Sequence, residues 1–233
     1  MKSTNKALIS AAAIAALLGS VTAIAADEVY DNSFRLGSYT VFYHTHADDV
    51  TGPFVPAGVN LKAQDLETLY VGYVRRLSSA FALELALGYP PLNKVEGKGP
   101  ATVGSVPYNG QVVSTARWLS PALLFEYNFL SEDSKFRPYI GVGVNYTNFY
   151  ARKSTAQGNA GLGGPTKVSL TASVGPAATV GLAYSFSPRW HLYGSYSIAR
   201  VNTHVTADTE GVIRTTTIKF GPQTLIISGG YSF

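Results

Sequence analysis

The sequence predicts an all-β fold, an eight-stranded antiparallel transmembrane β-barrel with its oily face turned outward. Three observations carry this. In "RPYIGVGVNYTNFY" (137–150), Ile140, Val142, Val144 and Tyr146 share one parity, and Arg137, Gly141, Gly143, Asn145 and Thr147 share the other. Period two is the signature of a strand with two unlike faces. Connections between such segments alternate between short and long. Aromatic residues gather at segment ends beside the short connections, where membrane barrels carry their girdles.

The expected strands, in order, are 33–43, 66–75, 80–89, 112–129, 136–150, 171–186, 190–201 and 215–233. Arg76–Ser79, Leu130–Lys135 and Ser187–Arg189 are short, with Ser, Asp and Pro as turn formers. His44–Asp65, Pro90–Gln111, Ala151–Leu170 and Asn202–Arg214 read as long loops rich in Gly, Pro, Asn and Asp. Short turns at one end, long loops at the other and an even strand count are the pattern of an outer-membrane barrel with both termini in the periplasm.

Residues 1–25 read as a secretory signal: Lys2 and Lys6, an apolar run from Ala7 to Leu18, then Ala23-Ile24-Ala25 before the cleavage point. The barrel domain is then 26–233. It has no cysteine for disulfides or lipid attachment. Without the leader, 16 basic residues face 14 acidic ones, spread along the chain, which is no nucleic-acid footprint. No later apolar run approaches the ~20 residues of a membrane helix.

Strand ends settle which face is outside. In "LIISGGYSF", Leu225, Ile227, Tyr231 and Phe233 share one parity, and Tyr231 with the terminal Phe233 looks like the assembly signal that barrel-insertion machinery reads. Phe81, Tyr127, Phe129, Tyr184, Phe186 and Trp190 sit on the oily parity near the short turns. The opposite parity holds Arg35, Glu84, Glu126, Arg137 and His191 with many glycines, as the narrow interior of an eight-stranded barrel requires. Oppositely charged residues there are expected to pair, since a lone buried charge is costly.

"RPYIGVGVNYTNFY", the proline within "WLSPALLFEYNF" and the ending "FGPQTLIISGGYSF" together resemble the OmpW/AlkL family of small outer-membrane proteins, over essentially the whole mature chain. The resemblance implies an eight-stranded barrel in the outer membrane of a Gram-negative bacterium. It further implies a narrow hydrophobic lumen that passes small hydrophobic molecules, among outer-membrane lipids and lipopolysaccharide. The stretch Gly97–Arg117 departs from it, being longer and richer in Gly and Val.

Depth along each strand sorts the inward residues. Arg35, Glu84, Glu126, Arg137 and His191 fall in the periplasmic half as a polar plug. Val41, Trp118, Leu124, Phe149 and Val201 fall higher as an apolar lining. Pro121, Pro176 and Pro222 lie about eight to eleven residues before the periplasmic strand ends, near the outer leaflet. Proline removes a ladder donor. The three therefore mark either gaps for sideways release of a solute or simply strand starts above the bilayer. The expected function is passive passage of small hydrophobic solutes. The alternative is a structural or interaction barrel whose loops serve adhesion, stress tolerance or recognition.

Other signals carry less. His44, His46, Asp48 and Asp49 lack the fixed geometry of a metal site. His191 with Ser195 and Ser197 has no carboxylate to complete a hydrolytic triad. Glu84 and Glu126 read as ion-pair partners of arginine rather than a catalytic pair. "GNAGLGG" reads as a flexible loop, since it lacks the nucleotide-site spacing. No enzyme activity, cofactor or metal is expected.

Overall fold

The computed structural model describes residues 30–233; the expected leader at 1–25 lies outside the described residues. The strands are β1 (Asn32–Tyr43), β2 (His46–Ala47), β3 (Asn60–Ala63), β4 (Leu66–Arg76), β5 (Phe81–Gly88), β6 (Leu92–Lys98), β7 (Thr102–Val103), β8 (Val106–Pro107) and β9 (Val112–Leu119). They continue with β10 (Ala122–Asn128), β11 (Phe136–Ser154), helix α1 (Ala156–Leu162), β12 (Thr166–Leu170), β13 (Ser173–Ser185), β14 (Trp190–Ala199), β15 (Asn202–Thr209), β16 (Val212–Lys219) and β17 (Pro222–Ser232).

Eight of these close a ring. The order β10–β5–β4–β1–β17–β14–β13–β11 is completed by the pairing of β10 with β11, every contact antiparallel. First and last strands are neighbours, with Phe34 opposite Tyr231, and Phe233 N–H donates to the Asn32 carbonyl at 2.8 Å. No edge of the ring is left open, so every strand can satisfy its backbone within lipid.

The oily parity points outward. Val142 is 64% exposed and Ile227 57%, while Gly141 and Ser228 beside them are buried. Rings cluster at the short-turn rim: Phe34 stacks on Phe233 at 5.4 Å, Phe81 meets Tyr127 at 5.4 Å, and Trp190 meets Tyr231 at 4.9 Å. Inward, glycine makes room for tyrosine. A Cβ on Gly181 would lie 2.3 Å from Cζ of Tyr139, and one on Gly230 2.5 Å from Cε2 of Tyr193.

Of the four expected long loops, Ala151–Leu170 and Asn202–Arg214 are mostly regular structure and Pro90–Gln111 is half strand, while His44–Asp65 stays mostly loop. Above the ring, β3, β6, β9 and the outer half of β11 form one sheet, and β12, β15, β16 and β2 form another. The single strands expected at 112–129 and 215–233 break at Ser120–Pro121 and Phe220–Gly221, and the one expected at 171–186 begins at Ser173, with β12 just before it. Backbone pairing favours continuing a strand wherever a neighbour also continues. The region 97–117 contains the end of β6, a small β7–β8 hairpin and most of β9. "GNAGLGG" is mostly helix α1 rather than loop: the Thr155 hydroxyl accepts from Gly158 N–H at 3.0 Å, and Gly163 ends the helix at φ 87°.

The two upper sheets are not laddered to each other. Pairing of β11 with β13 ends at Thr147–Ser173, and pairing of β1 with β4 ends at Val41–Leu66. Beyond these points the Val50 N–H, donating to the Val59 carbonyl at 2.7 Å, and side chains do the bridging. Arg152 Nη1 donates to the Leu170 carbonyl at 3.2 Å, and Tyr43 N–H donates to the Asp65 carboxylate at 2.7 Å.

Candidate functional site

Parity and depth bring three of the five plug candidates together. Arg35 on β1, Glu84 on β5 and Glu126 on β10 all point at the barrel axis. Arg35 Nη1 lies 3.4 Å from Glu84 Oε1, and its two terminal nitrogens each donate to one Glu126 oxygen at 3.4 Å. The Tyr70 hydroxyl donates to Glu84 as well. The guanidinium also sits 4.0 Å from the Tyr193 ring centre and 5.4 Å from that of Tyr139. Glu126 is 0% exposed. Removed from water, these charges depend on each other and on the ring faces for compensation.

Arg137 and His191 stand apart from this cluster. The expected pairing of Arg137 with the two glutamates does not occur: its Nη2 donates to the Ser79 carbonyl in the turn below. Position 137 is only the second residue of β11, so its side chain reaches the rim before the charge cluster. His191 lies between two hydroxyls, Nδ1 3.0 Å from Ser185 and Nε2 3.0 Å from Ser232, rather than beside Ser195 or Ser197. Both residues line a vestibule of about 440 Å³ that opens at the short-turn rim and has Arg35 and Glu126 at its inner end.

Over the charge cluster lies a cavity of about 70 Å³. Val41, Trp118, Leu124, Phe149 and Val201 all line it, with Tyr70. Four of them belong to one buried apolar cluster that also takes in Val205, Ile218 and Phe220, the last stacked on Phe149 at 5.5 Å. Phe220, in the break between β16 and β17, is missing from the expected lining, although its shared parity with Thr224 and Ser228 already points it inward.

The wall around this cavity has two faults. Ala86 pairs with Ala122, but the next pairing is Leu92 with Arg117, so residues 87–91 face one fewer residue at 118–121. Ala177 pairs with Ala199, but Leu170 pairs with Val205, again a slip of one. Outward-parity residues beside the faults, Leu87 at the first and Ala178 and Ile198 at the second, line the cavity too.

The three singled-out prolines relate to these faults differently. The Pro176 carbonyl accepts from Arg200 at 3.0 Å, so its missing donor is on the slipped β13–β14 seam. The Pro121 carbonyl accepts from Tyr146 at 2.9 Å, so its missing donor faces β11 rather than the first fault. Pro222 opens β17 opposite Tyr43, where register is unchanged from β16–β2 to β17–β1. At the first fault the absent donor belongs to Pro90, whose carbonyl accepts from Arg117 Nη1 at 2.7 Å. The Pro90-Pro91 pair directly after the third strand was the signal available for it.

Comparison with known proteins agrees with this architecture. The family model for the OmpW family matches residues 31–233. Outer membrane protein W of Vibrio cholerae serotype O1 is 31% identical over 98% of this chain and 100% of its own length. Its Escherichia coli K12 counterpart is 28% identical over 98% of this chain and 100% of its own. Among solved structures, OprG of Pseudomonas aeruginosa superposes with a TM-score of 0.78 at 21% identity, covering 87% of this chain and 95% of OprG. AlkL, solved in lipid bilayers, gives 0.62 at 20% identity over 92% of this chain and 96% of its own. The shared barrel, matched from the first ring strand to the terminal phenylalanine, makes this chain a member of the OmpW family, a β-barrel of the Gram-negative outer membrane set among its lipids and lipopolysaccharide.

Proposed function

We infer that this barrel is a passive channel for small hydrophobic molecules, which enter the upper lumen from outside and leave sideways into the bilayer. The observation that carries this reading is the stacking of an apolar cavity directly on a buried ion cluster. An apolar solute gains by leaving water for a lining of Trp118, Phe149 and Val201. It meets Arg35, Glu84 and Glu126 below, where it could displace no hydrogen bond without leaving a charge unpaired. Straight passage is therefore disfavoured. The two register slips at cavity level, where outward-parity Leu87 and Ile198 join the lining, support a route through the wall.

The test is uptake of a fluorescent apolar amine into vesicles containing the protein. Trp118→Ala with Phe149→Ala is expected to lower the rate severalfold in a correctly folded barrel. An unchanged rate overturns the reading, and dependence on the upper sheets alone would favour an interaction role.

A further inference from the structure

A second cavity lies higher, between the two upper sheets. It has a volume of about 60 Å³, and Leu61, Val168, Val205, Tyr108 and Arg214 are among its lining. Val205 also belongs to the apolar cluster around the lower cavity, against which Leu61 and Val168 pack. Apolar surface is thus continuous between the two.

Arg214, on β16, is only 6% exposed. Its Nε donates to the Pro53 carbonyl at 3.0 Å and its Nη1 to the Thr209 hydroxyl at 3.3 Å, both neutral acceptors. Among the described residues no carboxylate lies within ion-pair distance of it. Arg35, the comparably buried arginine, is met by two. A buried guanidinium without a counter-ion is a costly arrangement, and its planar fork matches a carboxylate. Tyr108, half-buried on the same cavity, packs its ring where Gly97 lacks a Cβ. Burial pushes the phenol up to about 12, so it stays protonated even in mild alkali.

We propose that Arg214 and Tyr108 form a recognition site for the carboxylate of a small apolar acid, whose tail lies toward Val205 and the cavity below. The inference rests on the channel reading and deepens it: the solute class then includes anionic amphiphiles, with the head held at the mouth before the tail is delivered.

Titration calorimetry on the full chain in nonionic detergent at pH 8 tests this with decanoate, decanol and acetate. Decanoate is expected to bind about tenfold or more tighter than decanol, the difference one charged contact supplies. Acetate, lacking a tail, should bind far more weakly than decanoate. Arg214→Gln should erase the preference and leave decanol affinity unchanged, Arg214→Lys should keep part of it, and Tyr108→Phe should reduce it. Equal binding of decanoate and decanol, or a preference that survives Arg214→Gln, overturns the proposal while leaving the channel reading intact. Acetate binding as tightly as decanoate also overturns it, revealing a plain anion site. Failure of wild type to bind either ten-carbon ligand overturns both readings.

Discussion

Arg35 and Glu126 clasp each other across the barrel interior, two nitrogens to two oxygens at 3.4 Å, from strands separated by β4 and β5. Glu84 on β5 joins the same guanidinium at 3.4 Å. One cation thus holds two carboxylates, all three residues buried, with Arg35 and Glu126 at the inner end of the rim vestibule. Arg35→Met is expected to destabilise the barrel by about 3–5 kcal/mol, because two buried acids lose their partner. Adding Glu84→Gln and Glu126→Gln to it should recover most of that loss. Urea unfolding in lipid vesicles, following tryptophan emission, measures both; a single variant as stable as wild type would contradict the account of the cluster.

Tyr139 and Gly181 face each other on paired strands, with the ring filling the space a side chain at 181 would need. Gly181→Leu should cost about 1–3 kcal/mol through overpacking. Adding Tyr139→Ala should return part of it, and a double-mutant cycle on unfolding midpoints checks the coupling.

Restoring the absent donors at the two wall faults should narrow the sideways route. Pro90→Ala with Pro176→Ala is expected to slow transfer of an apolar tracer into the bilayer severalfold, with the folded fraction unchanged. Pro121→Ala alone should do little, since the donor it restores faces β11. Equal slowing by Pro121→Ala would show that the faults are not the exit.

Phe233 is held by its backbone to Asn32 and by its ring to Phe34, contacts at the rim of a finished barrel. Phe233→Ala should therefore cost about 1 kcal/mol in the refolded protein. In cells, on the reading of Phe233 as an insertion signal, Phe233→Ala should lower the level in the outer membrane severalfold. Comparing refolding yield in vitro with membrane level in vivo separates the two effects.

The ring was legible wherever one face meets lipid and the other a crowded interior, as at Ile140 against Gly141, because burial then enforces period two. Above the bilayer that contrast vanishes. In "NTHVTADT" threonines occupy both parities, so β15 carried no pattern to read and looked like loop, as did the first three residues of β16 before the expected strand at 215. The lumen candidates Val41, Trp118, Leu124, Phe149 and Val201 share one cavity because parity and depth are sufficient to place them. Parity says nothing about distance to a partner, which is why Arg137 was grouped with acids it does not touch. Arg214 was missed for the same reason as its strand.

Because no strand ladder joins the two upper sheets, which meet through clasps such as Arg152 with Leu170 and through the apolar packing of Leu61, Val168 and Val205, the mouth is a pair of leaves standing on one rigid hoop. Each leaf can lean away from its fellow by giving up such clasps, while every rung of the hoop stays closed. Under the channel reading proposed above, the mouth would then adjust to the girth of a solute at the expense of those contacts alone, while the membrane-embedded portion need not yield.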